Sequence, residues 1–363
     1  MRIKRVLLAM SGGTDSSVAA LLLKEQGYEI IGMTFRSYDL ISKGCLEKET
    51  GCCSVDSIFE AKKLAAELGF EHKIIDIRKL FEKTIIQNFI NEYMSGSTPN
   101  PCVLCNQIVK WGQMIEEADN LKCNYLATGH YAQVIFENGR YFLRKGSDNL
   151  KDQSYFLWKL SQENLARTIF PLGNLTKTEV REIARKLNYE KLANKKESQE
   201  ICFIPDDDYR QFLRQRVPNI DKKIGEGNFI DTNGKIIGKH KGFPFYTIGQ
   251  RKGLEIAMGY PVYVLNIDAT TNTITLGDSN QLLKTEVWIE ETNFMKYPDI
   301  FKEKEAICKI RYNNKGEECR VKQFDNKIKI TFKKPVSAVT PGQSAVIYEE
   351  NDIIAGGIIM KSN

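Results

Sequence analysis

The 363-residue sequence has no long apolar run. Stretches such as Val6–Met10 and Val18–Leu23 fall far short of the ~20 residues that a membrane-spanning helix requires. The apolar run after the basic start Met1–Arg5 is also shorter than the roughly seven to fifteen residues of a secretory signal, so a cytoplasmic protein that does not enter a membrane is expected. Histidine is scarce, at three residues, which weighs against a zinc site built from histidine pairs. Ten prolines and 26 glycines, without a repeat, exclude collagen-like and low-complexity chains. Nine cysteines, an odd number scattered over a long chain, do not resemble a disulfide framework. In a reducing compartment, clustered cysteines point to metal or sulfur chemistry.

What is present is an ordinary globular composition, 42% hydrophobic and 27% charged, long enough for two or three domains. The net charge of +6 is unevenly spread. Residues 1–150 balance at zero, 151–250 carry +5, 251–300 carry −3 and 301–363 carry +4. Two basic segments flanking an acidic one suit a polyanion, although a merely solvated surface reads the same way. The first two hundred residues alternate strand and helix. Strand 5–10, helix 16–26 stopped at Gly27 and strand 28–35 make a βαβ unit. Helix 55–68, strand 73–77, helix 79–94, strand 124–128 and a helix over 177–188 with a Thr176–Glu179 capping box continue the pattern. Beyond a helix at 206–216 the chain turns to short alternating strands (227–237, 262–267, 273–276, 306–312, 327–332) that suit small β-barrels. The expected architecture is a doubly wound parallel α/β domain over 1–205, a small β-rich domain over 206–267 and a C-terminal β-barrel over 268–363.

Between the first strand and first helix stands SGGTDSS, Ser11–Ser17. Small residues there let backbone N–H groups converge on an anion at a helix N-terminus, the geometry that grips polyphosphate. The string lacks the Gly-Lys-Ser/Thr ending of a nucleoside-triphosphatase loop and the Gly-x-Gly-x-x-Gly of a dinucleotide fold. It resembles the loop of enzymes that split ATP between its α and β phosphates. On that resemblance Asp15 acts through phosphate-bound magnesium or by fixing the loop.

The second constellation is TPNPCVLCN, Thr98–Asn106. Asn100 suits a helix cap and Pro101 the first helical position, which sets Cys102 and Cys105 three apart on the opening turn, where a thiol's pKa falls. Cys202 follows far along the chain; flanked by Ile201 and Phe203, it reads equally well as core packing. Cys-x-x-Cys alone also fits half a zinc site, completed by Cys45, Cys52 or Cys53, or a redox pair. Cys123, Cys308 and Cys319 read as small buried hydrophobes.

These motifs together, with ATGHY (127–131), KDQSY (151–155), SQEIC (198–202), FYTIGQRKG (245–253), Arg311-Tyr312 and Pro341–Gln343, resemble the tRNA-specific 2-thiouridylases of the MnmA type over essentially the whole chain. The resemblance implies ATP with magnesium on Ala9, Met10, Ser11, Gly12, Gly13, Thr14, Asp15 and Ser16, with Phe35 at the adenine and Gly129 as a further contact; Met often stands in the family where this chain has Phe35. It places the target base on Asn100, Pro101 and Cys102, the nucleophile on Cys105 and a persulfide on Cys202. It places tRNA on His130, Lys151, Asp152, Gln153, Arg311, Tyr312 and Gln343. Its implied partners are the anticodon stem-loop with its wobble uridine and a cysteine desulfurase or sulfur-relay protein as donor. Some members carry Asp where this chain has Cys102. With Cys102, Cys105 and Cys202 all present, a [4Fe–4S] cluster bearing sulfide is an alternative carrier. Another adenylating synthetase with the same loop, or an RNA-binding module with a relic loop, are the other readings.

Overall fold

The run RVLLA forms strand β1 (Arg5–Ala9), whose three central residues are fully buried, as suits a strand covered on both faces of a parallel sheet. The computed structural model describes residues 4–38, 55–195, 201–204 and 208–361. Its chain forms two units. The first comprises Met1–Ile85, Cys102–Asp207 and Asn351–Ile354, and the second Ile86–Pro101, Asp208–Glu350 and Ala355–Asn363.

In the first unit β1 pairs in parallel with β2 (Glu29–Arg36) on one side and with β4 (Tyr125–Ala127) on the other; β3 (Glu71–Asp76) lies beyond β2. An antiparallel hairpin, β5 (Ala132–Glu137) and β6 (Arg140–Lys145), precedes β7 (Thr168–Ile169), which completes the sheet order β3-β2-β1-β4-β7. Helix α1 (Thr14–Glu25) buries Val18, Ala19, Ala20, Leu21 and Leu23, and its core cluster takes in Ala61 and Leu64 of α2 (Val55–Leu68) and Val180 and Ala184 of the helix Lys177–Lys186. The capping box expected at that last helix is present, Thr176 accepting from the Glu179 N–H and Glu179 from the Thr176 N–H. The chain runs to and fro from β1, so the loops after β1 and β4 flank the point where strand order reverses. In open α/β sheets that carboxyl edge is where ligands bind.

The second unit carries the helices Gln87–Met94 and Tyr209–Arg216, joined by Phe89 edge-on to Phe212 at 5.8 Å and Tyr93 stacked on Tyr209 at 4.5 Å. A four-stranded sheet follows: β8 (Gly227–Ile230), β9 (Ile236–His240), β10 (Tyr263–Asp268) and β11 (Thr273–Gly277), in the order β10-β11-β8-β9. The remaining strands are β12 (Leu283–Phe294), β13 (Lys304–Lys309), β14 (Glu317–Phe324), β15 (Lys327–Ser337), β16 (Ser344–Glu349) and β17 (Asp352–Ile359). They run β12-β15-β14-β13-β16-β17 and close into a barrel where Ile289 pairs with Ile359. Both fold classes expected from the strand spacing are therefore present.

Three local differences have simple causes. The stretch 227–237 is two strands, because the Asp231 carboxylate accepts from the N–H groups of Asn233 and Lys235 and turns the chain. The helix over 79–94 is continuous from Arg78 but widens to a π-turn at Glu82–Ile86. The hairpin β5–β6 was not anticipated, although Asn138 and Gly139, both with positive φ, are a two-residue turn of the kind that connects hairpins.

All three histidines are pushed by burial below the ordinary imidazole range, His240 to about 4 and His130 well below it. His240 is 3% exposed, its Nδ1 accepts from the Gly242 N–H, and its ring lies against Phe229 and Tyr246. A base whose folded pKa is depressed binds its proton more readily when unfolded. Its stabilising effect is thus complete above pH about 6.5 and is lost as pH falls toward 4. The melting temperature is expected to fall steadily over that window, and His240→Gln to flatten part of the slope; a melting curve insensitive to pH between 6.5 and 4 would contradict this.

Candidate active site

The phosphate loop is built by the end of β1 and the start of α1. Met10 donates its N–H to the Met33 carbonyl at 2.7 Å, and its own carbonyl accepts the Thr34 hydroxyl at 2.7 Å. With that hydroxyl proton committed, Thr34 Oγ1 accepts from His72 Nε2 at 2.9 Å. Past Met10 the loop folds on itself. The Ser11 N–H donates to Ser16 Oγ at 3.1 Å, Ser16 Oγ to the Gly13 carbonyl at 3.2 Å, and the Gly13 N–H to Ser11 Oγ at 3.4 Å. Gly12 has φ +69°, and a Cβ there would lie 2.1 Å from the Ser57 carbonyl oxygen of α2. Gly13 caps α1 without a side-chain hydrogen bond, so no side chain covers the first-turn N–H groups, the arrangement that suits an anion.

Asp15 is the charged residue of this loop, and the structure ties it down. Its Oδ1 accepts from Tyr131 Oη at 2.7 Å and from Lys177 Nζ at 2.7 Å, the lysine side chain being only 10% exposed. Lys177 is the first residue of its helix, where the dipole disfavours a cation; the aspartate offsets that. Gly129, in the loop after β4, comes so close that a Cβ would lie 2.9 Å from the Ser16 nitrogen and the Asp15 carbonyl carbon. Two further contacts fasten the loop from the helix Glu190–Ala193 and the residues just after it: Thr14 Oγ1 donates to the Leu192 carbonyl at 2.6 Å, and Lys195 Nζ to the Gly12 carbonyl at 3.1 Å while pairing with Glu60. Phe35, at the end of β2, is half-buried on the same carboxyl edge.

The helix opening at Pro101, as expected, is α-helical to Leu104 and becomes a nine-residue π-helix, Cys105–Gln113. Such widened turns recur at functional sites because they displace side chains from the regular ladder. Cys102 is exposed and Cys105 half-buried. Cys202 is exposed too, whereas its neighbours Phe203 and Ile204 are buried and Phe203 packs edge-on against Phe81 at 5.7 Å. That decides between the two readings of Cys202: the anchors are its neighbours and the thiol faces outward. Cys123, Cys308 and Cys319 are buried as expected, and burial raises their thiols, Cys123 to about 11 and Cys319 to about 12.

The positions expected to meet RNA fall into two kinds. Asp152 is buried, its oxygens accepting from the N–H groups of Gly146 and Ser154 and from the Ser154 hydroxyl; Gln153 exchanges hydrogen bonds with the Tyr131 backbone. These two shape the loop beneath half-exposed Lys151. His130 is held by Thr128 Oγ1 at 2.7 Å and Lys110 Nζ at 3.3 Å, beside Trp111 and Phe170. In the second unit Arg311 is exposed, with Tyr312 under Lys309. Gln343 donates to the carbonyls of Thr98 (3.2 Å) and Pro99 (2.7 Å), and the Asn100 amide to Ser344 Oγ at 3.4 Å, so this group positions the stretch leading to Pro101.

Three family models match in series: a tRNA methyl transferase HUP domain over residues 4–206, a tRNA methyl transferase PRC-barrel domain over 210–278 and an aminomethyltransferase beta-barrel domain over 284–359. The chain is 50% identical over its full length to the tRNA-specific 2-thiouridylase MnmA of Amoebophilus asiaticus, covering 96% of that protein. It is 49% identical over 99% of its length to the one of Cytophaga hutchinsonii, covering 98% of it, and 48% identical over 98% of its length to that of Salinibacter ruber, covering 94%. The chain belongs to the tRNA-specific 2-thiouridylase family.

Among the described residues no group of three or more His, Cys, Asp or Glu side chains is placed to hold a metal ion, so the structure lends no support to a [4Fe–4S] cluster on Cys102, Cys105 and Cys202. Cys45, Cys52 and Cys53, the further ligands expected for zinc on the Cys102–Cys105 pair, and the Ser198–Glu200 part of the late motif lie outside the described residues. The chain also has site residues that sequence reasoning passed over. Lys177 stood next to a recognised capping box, and Tyr131 inside a recognised motif, yet only folding shows that both bind Asp15. Lys110 and Lys195 carried no signal at all.

Proposed function

We propose that this protein replaces the C2 oxygen of the tRNA wobble uridine with sulfur, using ATP. The observation that carries the reading is the helix-α1 loop, with its uncapped N–H groups and tethered Asp15, in the same unit as the outward thiol of Cys202 and the half-buried thiol of Cys105. The C2 oxygen is a poor leaving group. It attacks the α-phosphorus of ATP, forming the O–P bond as the bond to pyrophosphate breaks, and then departs as an oxygen of AMP. Loop residues Ala9–Ser16 and Gly129 hold the phosphates, with Phe35 at the adenine. Magnesium bound with the nucleotide would supply charge neutralisation at the phosphates, and Asp15, held by Tyr131 and Lys177, is the loop carboxylate that would face it or fix the loop.

Sulfur arrives as a persulfide on Cys202. The Cys105 thiolate attacks the Cys202 sulfur, the S–S bond breaks, and hydrosulfide leaves with its electron pair. The two cysteines end as a disulfide that an external thiol must reopen. Hydrosulfide adds to C2, and AMP departs. Asn100, Pro101 and Cys102 meet the flipped-out base, whose extrusion costs a few kcal/mol. His130, Lys151, Asp152, Gln153, Arg311, Tyr312 and Gln343 form or position the contacts to the anticodon stem-loop. We assign the catalytic part to 1–205, a central RNA-contacting part to 206–267 and the barrel to 268–363. A cysteine desulfurase or a sulfur-relay protein is the donor, and the cytoplasm the setting.

Mass analysis of the wobble nucleoside tests this directly, after incubation with unmodified tRNA, Mg-ATP and a sulfide or persulfide source. Exchange of sulfur for oxygen, with release of AMP and pyrophosphate, is expected. An unchanged uridine, or the mass of an added methyl group, would refute it.

A further inference from the structure

Lys110 differs from the other lysines of the site. Lys177 and Lys195 are each paired with a carboxylate, Asp15 and Glu60. Lys110 is half-buried, and among the described residues its hydrogen-bond partner is a neutral ring, Nε2 of His130 at 3.3 Å, with no carboxylate paired to it. His130 sends its Nδ1 side to Thr128 Oγ1 at 2.7 Å and lies in an apolar wall of Trp111 and Phe170, where burial keeps the imidazole neutral. That fixes the tautomer in which Nε2 offers a lone pair to the ammonium. The ring orients the ammonium without cancelling its charge, and two of its three donors remain for an anion.

The location says which anion. His130 lies between Gly129, whose Cα abuts the Asp15–Ser16 backbone, and Tyr131, whose hydroxyl binds Asp15. Lys110 is therefore held, through the His130 ring, by the Gly129–Tyr131 segment that abuts the phosphate loop. Along its own element, Lys110 stands one i→i+5 step from Cys105 on the π-helix Cys105–Gln113. The wider turn thus joins a cation that pairs with no carboxylate among the described residues to the thiol that must act on the activated base.

We propose that Lys110 binds a non-bridging oxygen of the α-phosphoryl group that passes from ATP to the uridine oxygen. The assignment rests on the sulfur-transfer reading and adds a catalytic residue to it. The α-phosphoryl group is anionic both while the bond to pyrophosphate breaks and while AMP leaves C2. A preorganised donor without an ion pair to break serves both steps.

Lys110→Gln and Lys110→Arg in the full chain test it, with tRNA, Mg-ATP labelled at the α-phosphate and melting curves for each variant. Lys110→Gln is expected to slow AMP formation at saturating tRNA by about 10²-fold, the range for loss of one preorganised donor. Its tRNA affinity and the salt dependence of that affinity should match those of the parent. Lys110→Arg, which keeps the charge, should retain more activity at equal melting temperature. AMP formation at the parent rate in Lys110→Gln, or equal rates in the two variants, would overturn the assignment. So would weaker tRNA binding with a salt slope reduced by about 1 and normal AMP formation, which moves Lys110 to the RNA backbone. A parent chain that forms no AMP with tRNA would instead remove the underlying reading, and Lys110's role with it.

Discussion

With sulfur supplied as persulfide, Cys202→Ser is expected to reduce sulfur transfer to background while AMP formation continues within a few-fold of the parent rate. A hydroxyl cannot carry a sulfane sulfur, so no partial activity through the persulfide route survives. The fold has little stake in the thiol. Cys202 is exposed, and the segment is anchored by Phe203 against Phe81 and by buried Ile204. A surface substitution of this kind changes stability by about 0.5 kcal/mol or less. Parallel assays of thiolated nucleoside and of AMP release separate the outcomes. Full thiolation in Cys202→Ser would show that sulfur reaches C2 without a persulfide on Cys202 and would overturn that residue's role. Equal loss of both activities would contradict separate roles for loop and cysteine.

The second large effect is expected at Gly12. Alanine there meets two obstacles: a φ of +69°, which a side chain resists by about 1–2 kcal/mol, and the Ser57 carbonyl oxygen 2.1 Å from the new Cβ. Either the loop or the first turn of α2 must shift, and a displacement of the order of 1 Å at a reacting centre costs about 10²-fold in rate. AMP formation should fall by about that factor or more, with tRNA affinity retained. Gly13→Ala is the internal comparison. Its Cβ would meet only the Ser11 hydroxyl, at 3.3 Å, and should be tolerated far better. Similar losses in the two variants would show that the close approach to Ser57 is not what makes Gly12 necessary.

The sheet, the barrel and the phosphate loop were legible in the sequence because each has a local signature: apolar runs bounded by glycine, alternation of period two, and small residues before a helix. The thiols were legible as residue types, but not their exposure; Cys202 between Ile201 and Phe203 looks like a core residue until the turn rotates it outward. The tether on Asp15 was invisible for a different reason. Tyr131 and Lys177 come from elements 116 and 162 residues away, and no spacing rule links them before the strand order is known. The π-helix at Cys105 and the neutral ring beneath Lys110 are likewise products of packing. Asp152, Gln153 and Gln343 show the converse, since residues that a motif marks as RNA contacts bond to the protein's own backbone, and Asp152 to the Ser154 hydroxyl as well.

The pairing of Arg144 with Asp352 bears on how the molecule is made. Arg144 of β6 donates to both carboxylate oxygens of Asp352, at 2.6 and 3.1 Å, and the carboxylate is almost wholly buried. The stretch Asn351–Ile354 thus completes the unit that holds the nucleotide loop. On the ribosome, that unit has to wait with its β5–β6 hairpin lacking a neighbour until residue 352 has been synthesised and has cleared the exit tunnel. Premature termination before that point leaves an arginine and a strand edge open to chaperones and to aggregation, however complete the amino-terminal half has become.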